Sequence, residues 1–194
     1  MSLLLPRRRF LGASVVALVA ACAYNEDGQE QAGMGVTVGD CDCDGWLDIF
    51  KTNFVDDSSN LYRNNGNGTF TEKGVASGVN NDKYVARGCG FIDYNNAGWL
   101  DIVQVNGHFY PEVDSRRIGE TFKSPRLVYR NLGAVMFKDV SKGLGSRISE
   151  RFSSRGAAFG DYDNDGNLDV LILNINDLSS RSRGATPKTG SSSN

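Results

Sequence analysis

Carboxylates recur at fixed spacing in this 194-residue chain, in segments that each follow a run of β-forming residues. Two of these segments read Asp-x-Asp-x-Asp-Gly-x-x-Asp, with carboxylates at positions 1, 3, 5 and 9 and Gly at position 6. Calcium takes about six to eight oxygen ligands, and its loops commonly use these positions and the carbonyl at position 7. The candidate ligands are Asp40, Asp42, Asp44, Trp46 and Asp48 in the first loop and Asp161, Asp163, Asp165, Asn167 and Asp169 in the third, with Trp46 and Asn167 contributing carbonyls.

A second loop lies between these two and departs from their pattern. Its aligned residues are Asp93, Asn95, Ala97 and Asp101, so two formal charges stand where the other loops have four. We expect weak calcium binding or none there. Asp, Asn and Gly also form good turns, but four carboxylates within nine residues repel one another, and a turn alone does not require that crowding. The crowding favours Ca²⁺ in the first and third loops over Mg²⁺, which prefers few carboxylates.

Residues 1–21 have the pattern of an export signal. Three Arg at 7–9 precede Phe10-Leu11 and an apolar run at 13–21 that is too short to span a membrane. The Arg-Arg-Arg-Phe-Leu string is typical of twin-arginine export. Two processing sites stay open: a lipobox that makes Cys22 the lipidated first residue, or cleavage after the Ala-x-Ala-like residues 21–23. Both predict an extracytoplasmic protein of the periplasm or cell envelope, and the first adds a lipid anchor to the membrane.

The charge and composition of the chain exclude some kinds of binding site and argue against some partners. Asp supplies 17 of the 23 acidic residues, and ten of those Asp lie in the three loops. The single His excludes a multi-histidine zinc site. Residues 1–21 carry three Arg and no acid, so the chain without them has 18 basic and 23 acidic residues, a net charge of −5. This acidity argues against a nucleic-acid partner and favours cations.

The acidic loops belong to a repeat that extends over residues 24–177. Asp40 and Asp93 are 53 residues apart and Asp93 and Asp161 are 68 apart, which places an insertion in residues 107–126. The pattern predicts four strands per unit: 34–39, 47–53, 60–64 and 68–72, then 87–92, 100–105, 127–131 and 135–139, and in the third unit only 156–160 and 168–174. Four strands per roughly 40–50 residues predict a β-propeller blade. The fold class is therefore all-β, a partial propeller of about two and a half blades, and the polar tail at 178–194 is predicted to be disordered.

Several single residues carry expectations of their own. The alternation of apolar residues along the first strands (Val36/Val38, Cys89/Phe91 and Ala157/Phe159) predicts strands that are buried on one face, and the apolar run 170–173 predicts a fully buried strand. Cys41 and Cys43 are predicted to point outward and to be incidental rather than zinc ligands, whereas Cys89 is predicted in the core. Trp46 and Trp99 are expected to pack against their own hairpins. His108 is expected to be structural.

Residues 33–177 resemble the FG-GAP/VCBS-type repeats of calcium-binding β-propellers, which also occur in integrin α-chains. The strings at 106–114 (Asn-Gly-His-Phe-Tyr-Pro-Glu-Val-Asp), 129–131 (Tyr-Arg-Asn) and 154–166 are similar to the cartilage acidic protein-like family, whose members carry an ASPIC/UnbV domain. The resemblance implies an extracytoplasmic, calcium-stabilised propeller used for binding. Members of that family continue past residue 178 into another hairpin and the ASPIC/UnbV domain, so the chain is expected to be a truncated member.

The sequence therefore indicates an exported, non-enzymatic binding or adhesion module with Ca²⁺ as its cofactor. Its partner is an unknown protein or glycan, contacted through inter-strand loops and the 107–126 insertion, and open sheet edges predict self-association. Two alternatives stay open. One is a calcium-dependent extracytoplasmic hydrolase that uses His108 and neighbouring carboxylates, and the other is a non-functional fragment of a larger family member.

Overall fold

Antiparallel strands make up almost all of the regular structure. The computed structural model describes residues 30–55, 57–81, 83–116, 121–177 and 180–182. The strands are β1 (Gly33–Gly39), β2 (Asp48–Asn53), β3 (Asn60–Asn64), β4 (Phe70–Glu72), β5 (Ala86–Ile92), β6 (Asp101–Asn106), β7 (Leu127–Asn131), β8 (Phe137–Asp139), β9 (Ser154–Gly160), β10 (Asp169–Asn174) and β11 (Ser180–Ser182). All predicted strands are present, with boundaries shifted by two residues or fewer, which confirms the all-β class.

The strands form three sheets within the described residues. The first sheet has the order β1-β2-β3-β4, the second β5-β6-β7-β8 and the third β11-β10-β9, and neighbouring strands within each sheet are antiparallel. Short helices at Gly74–Ser77, Val113–Arg116 and Ser146–Ser149 and a 3₁₀ turn at Ser141–Gly143 lie in the connections. None of the described helices combines the length and apolar character that crossing a membrane requires.

The sheets pack face to face through β1, β5 and β9, which run in the same direction. A Cβ added to Gly35 would lie 2.3 Å from the Arg87 carbonyl, and one added to Gly90 would lie 2.1 Å from the Phe159 ring. Glycine at these positions therefore permits the close approach of neighbouring sheets. Separate hydrophobic clusters fill the two spaces, with Phe50 in the one between the first and second sheets and Val103 in the one between the second and third.

The outer faces of the end sheets differ from the prediction. Val36 and Val38 are 67% and 51% exposed, and in the strand predicted to be fully buried Leu171 and Leu173 are 49% and 56% exposed. The reason is the number of neighbours. Val103 and Val105 occupy the same repeat positions as Leu171 and Leu173, but the third sheet covers them. The third sheet itself has a described neighbouring sheet on one side, so the side chains on its other face are exposed. The prediction of one buried face is confirmed for β5 and β9, where Cys89 and Phe91 pack against one hydrophobic cluster and Ala157 and Phe159 against the other.

β11 lies in the segment predicted to be disordered, so that prediction is wrong for residues 180–182. Their backbone pairs with Val170, Leu171 and Ile172 of β10. Main-chain hydrogen bonds to an open strand edge do not need apolar side chains, which explains why the polar composition failed to predict the pairing. Residues 178–179 and 183–194, the remainder of the predicted tail, lie outside the described residues, as do the predicted signal and Cys22.

Candidate metal centre

Each of the three acidic loops joins the first two strands of a sheet and follows one backbone course. Gly45, Gly98 and Gly166 have φ values of 92°, 85° and 86°, as the sequence predicted for position 6. A Cβ at any of them would meet nothing within 4 Å, so the positive φ, rather than lack of space, selects glycine. Position 4 also has positive φ, at Cys43 (58°), Asn96 (53°) and Asn164 (54°), a feature that sequence reasoning missed.

The first loop brings three of its predicted ligands together. Carboxylate oxygens of Asp40, Asp42 and Asp48 lie within 4.8 Å of one another. The Oδ1 atoms of Asp40 and Asp42 are buried without a hydrogen-bond partner, and the Asp42 side chain is only 9% exposed. Buried carboxylate oxygens normally have a partner, and three such groups in contact repel one another. A cation among them would satisfy both conditions.

Asp44, the fourth predicted ligand, lies outside this group. Its Oδ1 accepts a hydrogen bond from the Trp46 backbone at 2.9 Å, and its Oδ2 accepts one from Arg63 Nη2 at 2.8 Å. Arg63 Nε also donates to Asp42 Oδ2 at 2.6 Å, so one guanidinium spans two loop carboxylates. The hydrogen bond to Asp42 raises the pKa of Arg63. Sequence reasoning missed Arg63, although the recurrence of Tyr-Arg-Asn at 62–64 and 129–131 was a signal.

The carboxylate at position 9 has a structural role in all three loops. Asp48 accepts hydrogen bonds from Cys41 N (3.1 Å) and Sγ (3.0 Å) and from Asn64 N (2.8 Å), which ties the loop to β3. Asp101 accepts corresponding bonds from the backbone N–H groups of Tyr94 (3.3 Å) and Asn131 (2.7 Å). In the third loop the backbone N–H of Tyr162 donates to Asp169 at 3.2 Å.

Burial acts on the same carboxylates. Asp48, Asp101 and Asp169 are 0%, 1% and 6% exposed. Burial raises the pKa of Asp48, although the hydrogen bonds from Cys41 and Asn64 act in the opposite direction. Burial also raises the pKa of Asp101, to about 6. These residues are therefore held in a low-dielectric setting in which a nearby cation would favour their ionised form.

The third loop repeats the first in a more exposed setting. Carboxylate oxygens of Asp161, Asp163 and Asp169 lie within 4.8 Å of one another, and the first two residues are exposed. Asp165 again lies outside the group, and its Oδ1 accepts hydrogen bonds from the backbone and side-chain nitrogens of Asn167, at 2.9 and 3.0 Å. The clusters thus contain positions 1, 3 and 9, and positions 5 and 7 stay predicted ligands.

The second loop is a hydrogen-bonded turn. Asp93 accepts hydrogen bonds from the backbone of Ala97 (2.9 Å) and Gly98 (2.7 Å), and Asn95 Oδ1 accepts a second one from Ala97 at 3.1 Å. With Ala97 at position 5 and Asn95 at position 3, it lacks the three-carboxylate group of the other loops. Weak or absent calcium binding at Asp93, Asn95 and Asp101 stays a prediction.

The three loops lie side by side at one end of the sheets. The Cys43 thiol contacts the Gly98 carbonyl at 3.8 Å, which joins the first loop to the second. Asn96 Nδ2 donates to Asn167 Oδ1 at 3.0 Å, which joins the second loop to the third. The two carboxylate clusters therefore lie at the same end of the sheets, with the second loop between them.

Cys41 contradicts the prediction that it points outward. It is fully buried in the cluster between the first and second sheets, and its carbonyl accepts a hydrogen bond from Asn131 Nδ2 at 2.8 Å. Burial raises the pKa of its thiol well above the ordinary value. The alternation rule failed because the loop turns back onto the second sheet. Cys43 is exposed, as predicted, and Cys89 packs against the same cluster, where burial raises its pKa to about 12.

The aromatic predictions and the expectation for His108 agree with the structure. Trp46 packs over Gly66 of the β3–β4 hairpin, and Trp99 lies against Gly133 of the β7–β8 hairpin. His108 Nδ1 accepts a hydrogen bond from Tyr110 N at 3.1 Å, and the ring lies 6.0 and 6.1 Å from the rings of Phe54 and Tyr110.

The donor set fits calcium. It consists of carboxylate oxygens, the ligands that hard cations prefer, and two of them in the first loop are buried without a partner. The thiols of Cys41 and Cys43 are not part of this donor set, because the first donates a hydrogen bond to Asp48 and the second contacts the Gly98 carbonyl of the second loop. The residues present can therefore hold a divalent cation through oxygen.

Comparison with known proteins identifies proteins that are similar to this chain. Residues 40–103 match the family described as FG-GAP-like repeat. Cartilage acidic protein 1 of Mus musculus is 30% identical over 173 residues, which cover 88% of this chain and 24% of that protein. The Homo sapiens protein is 27% identical over the same length, covering 88% and 23%, and that of Xenopus tropicalis is 28% identical over 146 residues, covering 74% and 20%. The chain thus spans less than a quarter of these curated relatives. Residues 40–103 thus resemble an FG-GAP-like repeat, and the chain is similar, along most of its length, to one part of cartilage acidic protein 1.

Proposed function

We propose that this chain is an exported, calcium-stabilised, non-enzymatic binding module whose sheets are blades of a β-propeller. The observation that carries the proposal is the convergence of three carboxylates, within 4.8 Å, in each of two loops with the same backbone course. Carboxylates in contact destabilise a fold unless a cation or proton neutralises them. Calcium would neutralise them and hold each loop closed, and this supports a role in stability rather than in chemistry.

The arrangement of the sheets supports the propeller. Each four-stranded sheet follows the chain order from its first strand to its fourth, and the first strands of neighbouring sheets pack together in the same direction. Blades of a propeller have this order and contact. The connecting segments, including the 107–126 insertion, lie at the ends of the strands, where loops on a rigid scaffold commonly contact partners.

Export and lipidation rest on the sequence alone. The twin-arginine string at 7–11 and the Cys22 lipobox support delivery to the periplasm or cell envelope, with or without an acyl anchor. A Cys22→Ser variant expressed in a bacterium with both export routes should still leave the cytoplasm but should incorporate no labelled fatty acid. Retention of either form in the cytoplasm would contradict the export proposal.

The contacts of His108 favour the non-enzymatic function over the hydrolase. Its Nδ1 accepts a hydrogen bond from the Tyr110 backbone, and its ring contacts the rings of Phe54 and Tyr110. A general base needs a nitrogen within reach of a substrate proton. A His108→Ala variant should therefore change no hydrolytic activity in a broad substrate screen.

Calcium titration of the full chain tests the metal sites. Thermal unfolding is measured in EDTA and in rising Ca²⁺, with the expectation that saturation at about 100 times Kd adds about 2.7 kcal/mol of stability per site. Asp42→Asn and Asp163→Asn should each remove the calcium-dependent stabilisation that one site contributes. Glu112→Gln, which removes an exposed charge from the insertion, is the matched control and should keep the full response. An unchanged melting temperature throughout the titration would overturn the calcium proposal.

A further inference from the structure

A second concave site lies away from the acidic loops. It has a volume of about 540 Å³ and opens between the segment that leads into β5 and the segment that follows β8. Tyr84, Leu127 and Tyr129 contribute apolar surface, and the latter two are buried. Pockets of about 300–1,000 Å³ with apolar walls and a few polar groups are typical of small-molecule sites.

Positive charge predominates on the described lining of this cavity. Lys83, Arg126, Lys142 and Arg151 face one acidic residue, Asp139. The Asp139 carboxylate is already engaged, because its Oδ1 accepts hydrogen bonds from the Ser141 backbone and hydroxyl. In a chain whose overall charge is negative, this concentration of cations needs a local explanation.

Three of the cations make no ion pair with the described residues. Lys83, Lys142 and Arg151 are exposed at the rim, and no described carboxylate lies within ion-pair distance of them. Lys123, by contrast, pairs with Asp177 at 3.0 Å. Unpaired like charges around a concave surface raise the local concentration of anions.

Arg126 has a different role in the cavity. It is 1% exposed, donates to the Arg147 carbonyl and to Asn174 Oδ1, and lies over the Phe152 ring at 4.5 Å. Burial lowers its pKa, and the nearby Glu150 opposes this effect. Arg126 therefore holds the cavity wall between the second and third sheets in place. The exposed cations at the rim, by contrast, are available to bind a ligand.

We propose that this cavity binds a small acidic saccharide, that is, one or two sugar units that carry a carboxylate or sulfate group. The rim cations would bind the anionic group through charge-assisted hydrogen bonds. The exposed Asn80 lies on the same lining, and its amide Nδ2 can donate to a sugar hydroxyl, whereas the Asn81 amide and the Ser149 hydroxyl already donate to backbone carbonyls. The partly buried Tyr84 offers the apolar face of its ring to the sugar ring. The inference rests on the proposed function as a binding module and names the ligand class of that module.

Calorimetric titration of the full chain in EDTA and in Ca²⁺ tests the proposal. The probes are a sulfated disaccharide, a digalacturonate and the neutral disaccharide cellobiose, at physiological ionic strength. We expect saturable binding of at least one acidic probe and none of cellobiose. A preference between the two acidic probes would distinguish sulfate from carboxylate as the recognised group.

Variants separate the cavity from general surface charge. Lys142→Ser combined with Arg151→Ser should weaken binding of the acidic probe by about a hundredfold, since each lost charge-assisted hydrogen bond weakens binding by about tenfold or more. The matched control combines Arg116→Ser with Lys138→Ser, which removes two exposed charges outside the cavity and should leave the affinity unchanged. Both variants should keep the wild-type response of the melting temperature to Ca²⁺.

The outcomes distinguish this inference from the calcium proposal. Binding of the acidic probe in EDTA, in a chain that does not respond to Ca²⁺, would support the saccharide site and overturn the metal sites alone. Equal weakening in the cavity variant and the control, binding of cellobiose at the same affinity, or no binding of either acidic probe would overturn the saccharide site.

Discussion

The first and third acidic loops have the same motif in different surroundings. The first packs against the second sheet, with Cys41 fully buried beneath it and Arg63 bound to Asp42 and Asp44. The third extends from the last described sheet, where Tyr162 is 76% exposed. Identical carboxylate spacing therefore does not give identical sites, since dielectric surroundings and neighbouring charges set both cation affinity and contribution to stability.

Removal of the position 9 carboxylate should show this difference most strongly. Asp48→Ala deprives the buried N–H of Cys41 and the partly buried N–H of Asn64 of their acceptor and should cost about 3 kcal/mol of unfolding free energy in EDTA. Asp169→Ala should cost about 1–2 kcal/mol, because water can reach the N–H of the exposed Tyr162. Urea denaturation of both variants measures the two values, and equal losses would contradict the difference between the loops.

The second loop adds a pH test to the comparison. Because burial raises the pKa of Asp101 from 3.8 to about 6, the folded state binds more protons than the unfolded state between these values. Stability should therefore fall as the pH rises through that window, by about 3 kcal/mol for this group. Urea denaturation in EDTA at several pH values should show a smaller fall for Asp101→Asn than for wild type. Identical pH profiles of Asp101→Asn and wild type would show that Asp101 does not cause this fall in stability.

Arg63 should distinguish the two loops in their response to calcium. Arg63→Gln removes a cation from Asp42 and Asp44, so the first loop should bind Ca²⁺ several-fold more tightly while the third loop is unchanged. Without calcium the loss of these partly exposed ion pairs should cost about 1 kcal/mol. Calcium calorimetry on Arg63→Gln, with Arg130→Gln at the same repeat position of the second sheet as control, measures the effect. Weaker calcium binding after Arg63→Gln would show that Arg63 organises the site instead.

The smallest expected effect concerns position 4. Cys43 has φ of 58°, and a left-handed conformation costs a residue other than Gly or Asn about 1 kcal/mol, so Cys43→Gly should stabilise the chain by about 0.5–1 kcal/mol. Asn tolerates this conformation, so Asn164→Gly should change stability by less than about 0.5 kcal/mol. Thermal unfolding of both variants in EDTA is the measurement, and destabilisation by Cys43→Gly would indicate that the thiol contact with Gly98 outweighs the strain.

Local patterns predicted the strands and the loops because their causes are local. Residues 60–64 and 127–131 form strands with the boundaries expected from their β-forming composition, and Gly45 and Gly166 have the positive φ that position 6 requires. The carboxylates at positions 1, 3 and 9 come together because the turn itself places them there.

Features that depend on a neighbouring sheet could not be predicted in this way. Alternation along a strand gives two faces but does not say whether a sheet covers each, and so Val36 and Leu171 are exposed against expectation. Cys41 is buried because its loop folds back onto the second sheet, and Arg63 reaches Asp42 across a sequence separation of 21 residues. The repeated Tyr-Arg-Asn string pointed to a shared role without naming the partner.

The common direction of the first strands has a consequence for how the molecule meets dissolved ions. Asp93 and Asp161 follow the ends of β5 and β9, so the acidic loops lie at the same end of their sheets. Carboxylates grouped in this way give that end a negative potential, which would attract cations before any specific contact forms. Calcium in the acidic loops would lower that potential. The ions that hold the loops closed would then also weaken the attraction of further cations.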